Sequence, residues 1–215
     1  MLKKIFMLFK VVVIINLLIC LINEEWTATF ICLFNIISFF VADLVKKKLG
    51  YSNLFQLLIY LFLICSLLGG EVYYLYSRIW FFDIIMHVIS SFIISVLCFY
   101  IIRRFKININ SITCIIFIFS FAMMIAALWE ITEFSIDRLL DKDMQKDTVI
   151  NEINSMLLSD DGESIVKKKI SSMNIGEYTT YGYIDIGLYD TMEDMICAVF
   201  GSIIFIIIGK VKEAF

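Results

Sequence analysis

The chain has 215 residues, of which 61% are hydrophobic and 18% are charged, and its formal net charge is −3. Its mean hydropathy of +0.91 is too high for an ordinary soluble domain and is typical of a polytopic membrane protein. The acidic balance argues against a nucleic-acid-binding surface, so no nucleic acid is expected as a partner. Membrane lipids are the expected surroundings of most of the chain.

Long apolar runs separated by charged breaks predict a single integral membrane domain, residues 1–215, with six spanning helices. The predicted spans cover residues 4–22, 26–44, 53–69, 79–102, 112–136 and 189–209. Their continuous Ile, Leu, Phe and Val content excludes the alternating pattern of an outer-membrane barrel. The fold class is therefore an all-α polytopic bundle of about six transmembrane helices. In such a bundle, Gly69-Gly70 and Gly201 can supply breaks or close helix contacts.

Basic residues mark every second junction between the predicted spans. They lie before or within the first span and after the second, fourth and sixth spans: Lys3, Lys4, Lys10, Lys46, Lys47, Lys48, Arg103, Arg104, Lys106, Lys210 and Lys212. The alternate short loops carry Glu24-Glu25 and Glu71 with Arg78. The positive-inside rule then predicts a multi-pass protein of the inner or plasma membrane with both termini in the cytoplasm. No A-x-A cleavage site follows the first apolar stretch, which is expected to be a retained span.

The one long connection, residues 137–188, is accordingly predicted to be extracytoplasmic. A set of its apolar residues recurs at helical spacing among polar ones: Val149, Ile150, Ile153, Met156 and Leu157. This pattern predicts a short amphipathic helix. The later segment GEYTTYGYIDIGLYD is rich in Tyr, Thr and Gly, which predicts an extended segment or turns before the last span. The loop is either a lid over an outer site or a solvated connection.

Ionisable residues lie near the predicted outer end of each of the last three spans. They form three pairs: Asp83 with His87, Glu130 with Glu133, and Asp190 with Asp194. Spacings of i, i+3 and i, i+4 place the two members of a pair on one helix face. An ionisable residue in a span costs roughly 2.5–3.5 kcal/mol at the helix centre, so such residues need partners or a function. We therefore predict that the six side chains form one polar site.

Five carboxylates and one imidazole are a donor set that suits a divalent cation such as Mg, Mn or Zn. All six residues are thus candidate metal ligands and, in an enzyme, candidate catalytic groups. The alternative is an interhelical polar network without an ion, in which the acids share protons or accept hydrogen bonds. The candidate donors of such a network are Arg78, Tyr73, Tyr74, Tyr189 and Trp129. For Trp129, a place in the outer aromatic belt is the favoured interpretation.

The order of the motifs D-x-x-x-H, W-E-x-x-E and D-T-x-x-D resembles the YjdF-type family of bacterial inner-membrane proteins and, more distantly, VanZ-like membrane proteins. The segments FFDIIMH, ALWEITEF and YDTMEDMICAVFG carry the resemblance, which covers roughly residues 79–209. It implies an α-helical integral membrane protein whose biochemical activity is not established. The residues of this chain that occupy the motif positions of the family are Asp83, His87, Trp129, Glu130, Glu133, Asp190, Thr191 and Asp194.

Three classes of function fit this pattern. An enzyme would be a metal-assisted or acid/base hydrolase or transferase acting on a lipid-like amphiphile at the outer leaflet. It would lack the G-x-S-x-G, H-E-x-x-H and P-loop signatures, which are absent from the sequence. A transporter would use the acids as a cation or proton relay, but the predicted cytoplasmic halves of the spans look apolar. A non-catalytic membrane module would bind a lipid, a small molecule or a partner through the same acids.

Overall fold

The computed structural model describes residues 2–211, and it describes side-chain burial for residues 2–209. The helices are Leu2–Ile22 (α1), Trp26–Leu49 (α2), Asn53–Leu63 (α3) with its π-helical continuation Ile64–Val72, Leu75–Arg78 (α4), Phe82–Arg104 (α5), Ser111–Leu140 (α6) and Leu188–Val211 (α7). Within this part of the chain, six helices are long and apolar enough to cross a membrane. The predicted bundle of six transmembrane helices is thus confirmed. The basic residue Lys212 lies outside the described residues.

Short polar sequences end the helices where the apolar runs stop. Gly50 adopts a left-handed conformation after α2, and its N–H donates to the Lys46 carbonyl at 2.8 Å. The Ser52 hydroxyl then accepts the Phe55 N–H at 3.1 Å and caps the N-terminus of α3. These are the residue types that helix ends favour, because they bind backbone groups that lack a partner within the helix.

The chain divides into two compact units, Met1–Ala126 with Met195–Phe215, and Ala127–Asp194. In the first unit, α1, α2, α3 and the π-helix pack on one another. Their core contains Tyr60, which is fully buried. Its ring stacks on Phe39 with ring centroids 4.3 Å apart and also contacts Phe6 at 5.1 Å. The first three spans therefore have their own aromatic core.

Helices α5 and α7 approach closely at Gly201, which also belongs to the first unit. A Cβ atom at this position would lie 2.2 Å from the backbone oxygen of Val88. Beside this contact, the Ser91 hydroxyl donates to the Ala198 carbonyl at 2.6 Å. The close helix contact predicted at Gly201 is confirmed.

The π-helix Ile64–Val72 contains the predicted break at Gly69-Gly70. A Cβ atom on Gly70 would lie 2.1 Å from the Tyr76 ring, so the ring packs directly on the glycine backbone. A Cβ atom on Gly69 would meet the end of the Leu75 side chain at 3.1 Å. The two adjacent glycines therefore differ in how much space surrounds them.

Replacement of Gly70 with alanine is expected to push the Tyr76 ring away and to destabilise the fold by about 1–3 kcal/mol, as overpacking usually does. Gly69→Ala is the matched control, because the flexible end of Leu75 can move a few tenths of an ångström. Thermal unfolding of both variants in the same detergent measures the difference. Equal unfolding temperatures would show that the Tyr76 ring does not need Gly70.

The second unit contains the long loop, and here the predicted amphipathic helix is wrong. The loop forms six short strands and a 3₁₀ turn at Met156–Leu158. The strands are Thr148–Ile150 (β1), Glu152–Ser155 (β2), Val166–Lys169 (β3), Met173–Ile175 (β4), Tyr178–Thr180 (β5) and Tyr183–Asp185 (β6). The β-branched residues at 148–150 and 153 favour extended backbone when a partner strand is available. The extended segment predicted before the last span is confirmed in β5 and β6.

All of the strand pairs are antiparallel. β2 pairs with β3, and β4 pairs with β5, so two hairpins follow one another along the chain. β1 pairs with β6 and encloses both hairpins, with Thr148 opposite Asp185 and Ile150 opposite Tyr183. The loop is therefore closed at its base by a short ladder between its two ends.

Candidate metal centre

Three carboxylates come together in the second unit. Glu130 and Glu133 lie on α6 and Asp194 lies on α7. Their relative exposures are 5%, 8% and 3%, respectively, so all three are buried. One carboxylate oxygen from each residue lies within 4.8 Å of those from the other two. This spacing allows the three oxygens to bind a single cation.

Trp129 contributes a hydrogen-bond donor to this group. Its indole Nε1 donates to Glu133 Oε1 at 2.8 Å, as the i, i+4 spacing on α6 allows. Trp129 is one of the five donors predicted for a polar network, and it binds one of the site carboxylates. Three ionised carboxylates that are buried this close together repel one another strongly. Protonation of a carboxylate or binding of a cation would each reduce this repulsion.

Asp190, another predicted site residue, is buried at the start of α7 and holds the loop. Its carboxylate accepts the backbone N–H of Lys146 at 2.9 Å. The neighbouring Thr191 hydroxyl accepts from the Gln145 side-chain amide at 2.6 Å. Gly187 permits this approach, because a Cβ atom there would lie 2.7 Å from the Gln145 Cβ. Asp190 therefore binds the backbone of the loop.

A second carboxylate, Asp137 near the end of α6, binds the same segment of the loop. It accepts the backbone N–H groups of Met144 and Gln145 at 2.6 Å and 2.9 Å. Asp137 is not among the six residues that the sequence predicts for the site. The signal that identifies it is its position four residues after Glu133, on the same helix face.

Asp83 and His87 form the expected pair in the first unit. His87 Nε2 lies 3.4 Å from Asp83 Oδ1, and both side chains are only 13% exposed. Helix α5 begins at Phe82 and not at residue 79, so Asp83 lies in its first turn. A carboxylate in that position is stabilised by the positive end of the helix dipole. The contribution of this pair to a site shared with the carboxylates stays a prediction.

A polar cluster that the sequence reasoning missed lies among the first three spans. Asp43 accepts three hydrogen bonds: Oδ2 from Lys10 Nζ at 2.6 Å, and Oδ1 from Gln56 Nε2 at 3.0 Å and Tyr60 Oη at 2.9 Å. Gln56 and Tyr60 are fully buried. These spans are therefore not apolar at the end predicted to be cytoplasmic. An ionisable residue within a membrane span costs free energy, and this cost is the reason that the other acids were predicted to form a site. The same argument applies to Asp43.

A family model described as predicted membrane protein, DUF2238, matches residues 2–214. No curated protein and no solved structure matches the chain. The description of the family agrees with the six spanning helices, and the chemistry of the site rests on the geometry of the chain itself.

Proposed function

We propose that this chain, which belongs to the DUF2238 family of predicted membrane proteins, binds a divalent cation through Glu130, Glu133 and Asp194. The observation that carries the proposal is the presence of three buried carboxylates with oxygens within 4.8 Å of one another. A divalent cation removes the repulsion among them, and an all-oxygen donor set suits Mg²⁺ or Mn²⁺ and is also used by Zn²⁺.

The order of the three motifs supports assignment of the chain to the YjdF type of bacterial inner-membrane protein. The basic residues at every second junction support a cytoplasmic location for both termini. In that orientation the ends of α6 and α7 that carry the carboxylates face the outside of the cell. The proposed cation would then come from the extracytoplasmic side.

The reaction that such a site serves best is metal-assisted hydrolysis or group transfer on a lipid-like amphiphile. A bound cation acts as a Lewis acid toward a phosphate or carbonyl oxygen, and a neighbouring carboxylate can accept the proton of an attacking water or hydroxyl. Both steps require ligands and bases close together in a site with little water. Buried carboxylates at the end of membrane-spanning helices meet this requirement for a substrate whose apolar part stays in the bilayer.

A transporter is the second candidate function. The specific observation in its favour is the ion pair between Lys10 and Asp43, with Nζ and Oδ2 2.6 Å apart. It adds charged groups to spans that the sequence reasoning considered apolar. Charged residues within spans commonly mark ion or proton pathways.

Metal analysis of the purified protein tests the proposal. We expect the chelator-stripped protein to take up a stoichiometric amount of Mn²⁺ or Zn²⁺, measured by mass spectrometry of the metal content. Glu130→Gln and Asp194→Asn are expected to lose this uptake, because each removes one of the three charged ligands. Glu193→Gln is the matched control: it is the adjacent acid, but it is exposed. Equal metal content in the wild type and Asp194→Asn would overturn the proposed site.

Lipid turnover by the metal-loaded protein separates the enzyme from the other classes. An enzyme should convert a phospholipid or glycolipid substrate, and Asp194→Asn should abolish the conversion while Glu193→Gln retains it. A protein that binds the metal without turnover, but moves the ion across a liposome membrane, is a transporter. Turnover that survives both Glu130→Gln and Asp194→Asn would exclude the carboxylate cluster as its active site.

A further inference from the structure

A groove of about 510 Å³ lies in the first unit, where α1 and the π-helix end and α2 begins. None of the five acids and one histidine predicted as site residues lines it. The residues that matter for its chemistry are Asn16, Glu25, Trp26, Val72, Tyr73 and Tyr74. The groove combines polar, apolar and aromatic surface, as ligand-binding clefts commonly do.

The charge of the groove is negative. Glu25 is the one charged residue among the described residues that line it, and no lysine, arginine or histidine does so. An anionic group would find no counter-charge here, whereas a cation would find the Glu25 carboxylate.

Three aromatic side chains line the groove beside this carboxylate: Trp26, Tyr73 and Tyr74. All three side chains are exposed and can therefore contact a ligand in the groove. The Tyr73 hydroxyl donates a hydrogen bond to Asn16 Oδ1, which holds the ring against α1. Aromatic faces attract organic cations, and a carboxylate among several rings is the usual composition of a site for ammonium groups.

The backbone on both sides of the groove is held in uncommon conformations. Glu24 and Tyr74 are not glycines, yet both adopt left-handed φ angles, of 57° and 58°. Tyr74 follows directly after the π-helix and Tyr73. Left-handed backbone is rare for a bulky residue, and both strained backbone and π-helical turns occur often at functional sites. Both segments that border the groove thus have backbone conformations of a kind found at functional sites.

We propose that this groove binds an organic ammonium group, supplied by the amine of a lipid headgroup or by a free amine. The Glu25 carboxylate pairs with the positive charge, and the rings of Trp26, Tyr73 and Tyr74 contact its carbon atoms. The apolar lining at Ile19 accommodates an attached methylene chain. The groove lies at the ends of membrane-spanning helices, which is the depth at which lipid headgroups are found.

Lipid retention by the purified protein tests this site. The full-length protein is exchanged into mixed micelles with equal amounts of phosphatidylethanolamine and phosphatidylglycerol, and bound lipid is counted by native mass spectrometry. We expect the wild type to prefer phosphatidylethanolamine about threefold to fivefold, the size expected for an exposed cation–π contact. Glu25→Gln and Trp26→Ala should each reduce this preference towards equal binding. Glu24→Gln is the matched control and should retain it, because Glu24 does not line the groove.

Free ethanolamine and tetramethylammonium identify the source of the amine. If a millimolar free amine displaces the retained lipid, the groove recognises the headgroup amine alone. A soluble amine is then a sufficient ligand. Lack of competition, with the headgroup preference intact, indicates that the lipid itself is the ligand. Equal retention of the two lipids by the wild type, or an unchanged preference in Glu25→Gln, would refute the proposal. Circular dichroism of each variant verifies that it is folded.

Discussion

Replacement of Gly201 with alanine is expected to lower the free energy of unfolding by about 3 kcal/mol, at the upper end of the range for overpacked sites. The added methyl group would lie 2.2 Å from the Val88 carbonyl oxygen. The clash is with backbone and not with the end of a flexible side chain, so one helix must move. Such a movement also stretches the hydrogen bond from Ser91 to the Ala198 carbonyl, which is 2.6 Å long.

Thermal unfolding in detergent measures this loss. For a chain of this size, a loss of 3 kcal/mol corresponds to a fall of roughly 6–12 °C in the unfolding temperature. Ser202→Ala is the control in the same contact: it removes the 3.2 Å hydrogen bond between Ser202 and Ser95 but adds no atoms. Its cost should be only about 1 kcal/mol. If Gly201→Ala unfolds no earlier than Ser202→Ala, the helices are not packed as closely as described.

Substitution of Asp43 by leucine is the second change with a large expected effect. It removes the acceptor for Gln56 Nε2 and the Tyr60 hydroxyl, both of which are fully buried. Each buried donor that loses its acceptor costs about 1–3 kcal/mol, so a total of about 2–6 kcal/mol is expected. The Lys10 ammonium also loses its partner, but it is partly exposed and contributes less.

Asp43→Asn is the matched control, because it keeps a carbonyl oxygen that can accept from Gln56 and Tyr60 while removing the charge. It should therefore lose much less stability than Asp43→Leu. The double variant Lys10→Met with Asp43→Leu should lose less than the sum of the single variants, since neither charge is then left alone. Strict additivity in urea or thermal unfolding would show that the ion pair does not couple α1 to α2.

Most of the helical architecture could be predicted because lipid imposes a simple rule of length and composition. A span needs about 20 apolar residues, and each of the six runs is close to this length. An error of a few residues at the end of a run does not change the prediction. The helical repeat also predicts that Glu130 and Glu133 share a face. Their proximity to Asp194 follows from the cost of leaving buried acids without partners.

The loop could not be predicted in the same way, because its structure depends on distant partners. Val149 and Ile150 fit a helical pattern when they are considered with Ile153, but they pair with Ile184 and Tyr183, more than thirty residues along the chain. A helix needs only local hydrogen bonds, whereas a strand needs a partner that local patterns do not reveal.

The position of Asp190 has a similar explanation. The spacing between Asp190 and Asp194 predicts that they share a helix face. Asp190 also accepts the backbone N–H of Lys146, and a contact with backbone cannot be predicted from a pattern of side chains. Asp43 was missed for a different reason. It lies within the predicted second span, three residues before Lys46 and near the basic end of that span, whereas the three predicted pairs lie near the opposite membrane face.

The ladder between β1 and β6 separates the loop into a base and a distal part. Because residues 148–150 are bonded to residues 183–185, the two ends of the loop are held at a fixed spacing whatever lies between them. The two distal hairpins could then be shortened, exchanged or lengthened without pulling on the helices to which the base is attached. Residues 151–182 are accordingly a natural position for a fused reporter or an epitope tag.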